Sequence, residues 1–186
     1  MKKINLIFTA IVSMFFGQKM VAQDNPVTPP VDFYSLSFKT ITGESFKFNQ
    51  LKGKKVLIVN TASKCGFTPQ FKDLEALSLQ YGNSLVVIGF PSNDFMNQDP
   101  GTNEEIKSFC EVNYGVTFQM MDKSSVKGKH KNNVFAWLTD KSKNGWNEKE
   151  PAWNFSKYLI DEKGRLIGHF SSKVKPMDNE IISKLK

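Results

Sequence analysis

The chain has 186 residues, 40% of them hydrophobic, and a formal charge of +7, which suits one globular domain and excludes a disordered or fibrous protein. Its lysines are spread out, and its densest basic group (Lys123, Lys127, Lys129, Lys131) is not interleaved with aromatic residues. A base-stacking surface is therefore not indicated, and no nucleic acid partner is expected.

Lys2-Lys3 precede an apolar run from Ile4 to Phe16, and small residues follow near Ala22. This layout predicts a signal peptide over residues 1–22, with export to a periplasmic or extracellular compartment and no stable membrane insertion after cleavage. Cleavage after Ala22 removes Lys2, Lys3 and Lys19 and no acid, lowering the charge from +7 to +4. Residues 23–31, with Pro26, Pro29 and Pro30, read as a flexible tether, leaving 32–186 as the domain.

Tyr34, Leu36 and Phe38 alternate, as do Phe46 and Phe48, and Thr42-Gly43 supplies the turn of an N-terminal hairpin. Lys55 to Asn60 is a continuous apolar strand of the kind found in a sheet centre. Thr68 is then expected as the N-cap and Pro69 as the first-turn residue of a helix carrying Phe71, Leu74 and Leu77. Ser84 to Phe90 is a second buried strand. Thr102 and Glu105 form a capping box for a helix with Ile106, Phe109 and Cys110 on one face. A short strand over 117–121 and a third helix with Val134, Phe135 and Leu138 follow. The strands Phe155–Ile160 and Leu166–Phe170 flank a turn at Asp161 to Gly164, and Pro176 is expected to open a final helix. A β-α-β half followed by an α-β-β-α half is an α/β thioredoxin-like arrangement, a central mixed sheet with helices on both faces.

The mature chain holds two cysteines, Cys65 and Cys110. Cys65 lies in Asn60 to Thr68 (NTASKCGFT), between a buried strand and a helix start, with Lys64 beside it. Unpaired N–H groups and the positive dipole end at such a place favour the thiolate. A small buried hydrophobe is the plainer reading of a free cysteine. No second thiol follows within three residues, which argues against a disulfide-exchange enzyme of Cys-x-x-Cys type. Cys65, Cys110, His130 and His169 match no compact pattern for copper or zinc.

Three segments together carry a resemblance: NTASKCGFT, Gly89 to Gly101 (GFPSNDFMNQDPG) leading into Thr102-Asn103-Glu104-Glu105-Ile106, and Trp153-Asn154-Phe155. From about Phe33 to the C-terminus the chain resembles the glutathione peroxidase family, in its cysteine-containing, thioredoxin-dependent form. The resemblance implies that Cys65 is the peroxidatic residue, with Trp153 and Asn154 donating to the sulfur or to the breaking O–O bond. It implies Cys110 as resolving cysteine, condensing with the Cys65 sulfenic acid to a disulfide that a thioredoxin-like protein reduces. No prosthetic cofactor or metal is implied, and the short interval from Gly128 to Trp153 points to a monomer. Cys110 also shares an apolar helix face, so an inert core thiol beside a glutathione-using site stays open, as does a non-catalytic binding protein on a thioredoxin fold. The family usually has glutamine where this chain has Asp94. Asp94 is assigned to the site with three outcomes: protonated in the pocket, turned away while Asn93 donates, or lowering activity.

Overall fold

The computed structural model describes residues 21–22 and 26–185 of the chain. The expected leader lies outside these apart from Val21–Ala22, which form strand β1. A separate hairpin, β2 (Ser37–Lys39) and β3 (Ser45–Lys47), pairs Phe38 with Phe46 as their alternation requires. Of the expected tether, Val31 is anchored, its N–H donating to Lys143 O at 3.0 Å and its carbonyl accepting the Trp137 indole N–H at 2.8 Å.

The main sheet runs β1-β8-β7-β4-β5-β6, comprising β4 (Lys55–Thr61), β5 (Leu85–Pro91), β6 (Gln119–Met120), β7 (Lys157–Ile160) and β8 (Leu166–Phe170). β4, β5 and β6 are parallel, and β7 and β8 are antiparallel to their neighbours. This is the expected thioredoxin-like mixed sheet. Because β4 is buried on both faces, it feeds two cores. Leu57 and Val59 pack with Phe71, Leu74 and Leu77 of α1 (Gln70–Tyr81) and Ile106 and Cys110 of α2 (Asn103–Tyr114). Val56 and Ile58 face Val134, Phe135 and Leu138 of α3 (Asn133–Leu138), together with Phe33 and Phe48. Two short helices complete the chain, α4 (Lys141–Asn144) and α5 (Asn179–Ile182).

Two helix starts differ from expectation. The N-cap of α1 is Pro69, without a side-chain cap bond, because the Thr68 hydroxyl is spent inside the preceding loop. The last helix begins at Asn179 rather than Pro176; the chain first turns so that Asp178 Oδ2 accepts from Lys175 N at 2.8 Å. The capping box on α2 forms as read, Thr102 Oγ1 accepting from Glu105 N while Thr102 N donates to Glu105 Oε2.

Register explains why the three motifs meet. Asn60 pairs with Phe90 and Thr61 with Pro91, so the loops after β4 and β5 leave the sheet at one edge, the carboxyl edge of the parallel strands. β7 runs the other way, with Lys157 opposite Val59, so the segment preceding it arrives at that same edge.

Candidate active site

The loop after β4 is shaped by Thr68. Its hydroxyl donates to Ala62 O and accepts from Cys65 N, both at 2.9 Å, and its own N–H donates to Cys65 O at 3.0 Å. This folds the chain back so that Phe67 N–H points at Cys65 Sγ, 3.4 Å away. Cys65 is 9% exposed, in a cluster against which Phe67 packs.

Trp153, Asn154 and Phe155 are tied to β4 through Asn60. Phe155 N–H donates to Asn60 O at 2.6 Å, Asn60 N–H donates to Ser156 O at 3.3 Å, and Asn60 Nδ2 donates to Trp153 O at 3.1 Å. Phe155 is left with φ 62°, a left-handed value that a non-glycine residue keeps only under strong local constraint. One constraint is Lys157. It is fully buried, and its Nζ donates to Phe155 O at 2.8 Å and Val174 O at 2.7 Å. Burial lowers its pKa to about 7, against the pull of the Asp178 and Asp73 charges. A neutral amine still has two N–H groups, one for each carbonyl. Trp153 is half-buried with its ring 5.6 Å from that of Phe95, and Asn154 is fully buried. Trp137 and Trp146 are core residues whose indole N–H groups donate to Val31 O and Leu166 O.

The second motif loop is stitched to the first. Ser63 donates through both N–H and hydroxyl to Asp99 Oδ1, at 3.0 and 2.7 Å, and Lys64 N–H donates to Gln98 O at 2.9 Å. Asp99 has no exposed surface, and burial raises its pKa in spite of the Ser63 bonds. Gln98 Oε1 accepts from Asn154 Nδ2 at 2.9 Å, so one residue, through its carbonyl and its side chain, joins all three segments.

Asp94 follows the first half of the second expected outcome, with its carboxylate engaged elsewhere. Its Oδ2 accepts from Ser125 Oγ, Val126 N and Lys127 N at 2.9, 2.7 and 3.2 Å. The carboxylate is an anchor for the 125–127 turn and leaves the donor set. Nor does Asn93 replace it, since its Nδ2 donates to Asn97 Oδ1 and its Oδ1 accepts from Asp99 N. The reason is acceptor chemistry: two unpaired backbone N–H groups on a neighbouring turn attract a carboxylate that a sulfur anion would repel. Sequence reading also passed over Gln98, Asp99 and Lys157. Gln98 and Asp99 lie within a quoted motif, and Lys157 stands out as a lone cation in the apolar run Tyr158-Leu159-Ile160.

Cys110 is in the C-terminal half of α2, 1% exposed, and unpaired, as is Cys65. Burial, followed by the Asp99 and Glu111 charges, pushes its thiol up to about 12. Its carbonyl accepts from Val116 N, so the helix around it is closed.

Comparison with known proteins now bears on this geometry. Residues 33–139 match the family model described as Glutathione peroxidase. The chain belongs to the glutathione peroxidase family. It is 49% identical over 156 residues to glutathione peroxidase-like peroxiredoxin 2 of Saccharomyces cerevisiae, covering 82% of this chain and 96% of that one. The glutathione peroxidase homolog BsaA of Bacillus subtilis is 41% identical over 159 residues, 84% of this chain and 99% of its own. The crystal structure described as Trgpx in apo form superimposes with a TM-score of 0.63 at 34% identity, covering 83% of this chain and 95% of the other. The protein is a thiol peroxidase of this family.

Two outcomes follow from the site. Asp94→Ala removes a charged acceptor from three donors and is expected to cost about 2 kcal/mol of stability, read from the urea midpoint at constant slope. Cys110 in the folded, reduced protein is expected to resist alkylation at pH 8. Because its native pKa (about 12) exceeds the ordinary 9, the unfolded chain loses that proton first. Its contribution is complete below pH 9 and is lost as pH rises toward 12. Lys157 acts with the opposite sign between 7 and 10.5. The Cys110 effect is therefore read as the stability difference between the protein and Cys110→Ala across pH 8–11.

Proposed function

We propose that Cys65 is the peroxidatic residue. The carrying observation is its sulfur on the Phe67 N–H, within the cluster that Trp153 packs against. The thiolate attacks the terminal oxygen of a hydroperoxide, the O–O bond breaks, and the sulfur is oxidised to sulfenic acid. The departing alkoxide or hydroxide takes up a proton and leaves as alcohol or water. The indole of Trp153 and the backbone donor at Phe67 are suited to stabilising the charge that moves from sulfur to oxygen.

In this reading Cys110 resolves the sulfenic acid: its thiol sulfur displaces water from Cys65–SOH to form a disulfide, which an exported thioredoxin-like dithiol reduces. Burial keeps the Cys110 thiol protonated and unreactive until α2 opens between Phe109 and Glu111, which restricts the disulfide step to an opened conformer. The protein acts as a monomer in the periplasmic or extracellular space, where its leader directs it. A second reading has a specific observation behind it: Cys110, 1% exposed within an intact helix, is an inert core thiol and glutathione reduces Cys65 directly.

One equivalent of peroxide is expected to yield a Cys65–Cys110 linkage by mass spectrometry, and steady turnover with thioredoxin far above that with glutathione. Sulfinic acid at Cys65 beside an untouched Cys110 thiol, with turnover by glutathione, supports the second reading. Cys65→Ser is expected to abolish peroxide consumption under either reductant.

A further inference from the structure

The loop from Ser92 to Asp99 is built to turn one side chain inward. Met96 and Asn97 both have left-handed φ, 52° and 53°, and both are exposed, Met96 at 77%. Asn93 braces the turn from inside, donating to Asn97 Oδ1 and accepting from Asp99 N. Two consecutive non-glycine residues in this conformation are unfavourable, and they persist only where the surroundings fix them. Their effect is to reverse the chain so that Gln98 is half-buried, its carbonyl held by Lys64 N–H and its Oε1 held by Asn154 Nδ2.

The remaining end of Gln98 is the informative one. Its Nε2 carries two N–H groups, and among the described residues neither has an acceptor. The buried or half-buried asparagines of the stitched loops are committed on their nitrogens: Asn60 to Trp153 O, Asn93 to Asn97, Asn154 to Gln98. Asp94 has no N–H to give and is turned to the 125–127 anchor. We propose that Gln98 is a catalytic residue of this site, holding Asn154 through its oxygen and donating through Nε2 to the peroxide oxygen on which charge develops.

This rests on Cys65 being the peroxidatic residue. Electron density flows from the thiolate to the terminal oxygen as the O–O bond breaks. The terminal oxygen stays on sulfur as the sulfenic acid, while the other oxygen departs as an anion and takes up the proton that the thiol released on ionising. A donor at that oxygen lowers the barrier for peroxide but has no counterpart in alkylation, where iodide leaves without such a partner. Acceptance of the Asn154 N–H at Oε1 polarises the Gln98 amide and strengthens its own N–H as a donor.

The test compares two reactions of Cys65 in the full chain, with hydrogen peroxide and with iodoacetamide, each rate taken on its alkaline plateau. Gln98→Met is expected to slow the peroxide reaction about 100-fold and leave alkylation within about 3-fold. Gln98→Glu keeps an acceptor for Asn154 but has no N–H, so it is expected to be as slow with peroxide as Gln98→Met. Peroxide rates within about 3-fold of the parent in either variant would overturn the donor role, and so would equal slowing of both reactions, which marks a structural defect. The unsubstituted protein is the control for the underlying assignment: if its Cys65 alkylates but ignores peroxide, the peroxidatic reading itself falls.

Discussion

Asn60 is the peg on which the site hangs. It lies fully buried near the end of β4, and its backbone and side chain together make three bonds to Trp153, Phe155 and Ser156. A strand residue ordinarily offers its backbone to a ladder and its side chain to a core. Here the side-chain amide extends the ladder past the last regular pair and captures a loop. The chain that carries Cys65 leaves β4 just beyond it, so the sulfur and the Trp-Asn segment are positioned by a common support. Phe155 accepts a left-handed φ as the cost of that capture, and its ring packs edge-on to Phe71 at 5.3 Å, joining the same support to α1.

The polar cost of such an arrangement is visible beneath it. Lys157 and Asp99 are both fully enclosed, and burial disfavours the charged form of each. Both are retained as backbone organisers rather than as an ion pair: Lys157 holds carbonyls on the Phe155 side and Asp99 holds Ser63 on the Cys65 side. Removing a partner from either would leave buried groups unpaired, which costs more than the bond itself contributes. The site is therefore stiff in its frame. Cys110 lies outside that frame, in a helix closed by ordinary backbone bonds, where local opening is a matter of one or two turns.

Much of this was legible from residue order alone. The strands, the capping box at Thr102 and the sheet with two cores follow from apolar periodicity, which local geometry cannot easily override. The family was legible because three motifs, around Cys65, Gly89 to Gly101 and Trp153-Asn154, fall in a fixed order. Thr68 was misread because a hydroxyl beside a helix start can serve the helix or the loop, and only the return of the chain onto Ala62 decides between them. Which of its three outcomes Asp94 takes was hidden for a related reason: its partners, Val126 and Lys127, lie far along the chain in a turn with no signal of its own.

The sequence by itself determined the fold class and the family, since these depend on residue type and on spacing within short segments. Tertiary structure alone decided where the polar side chains of the second motif loop are held. Asp94 and Gln98 sit four residues apart in that loop, and their partners differ. The choice fell to acceptors and donors contributed by distant segments: backbone N–H groups at 126 and 127 drew the carboxylate out, and the Asn154 amide drew Gln98 in. Hydrogen-bond partners chosen across a fold leave no periodic trace in the chain that carries them.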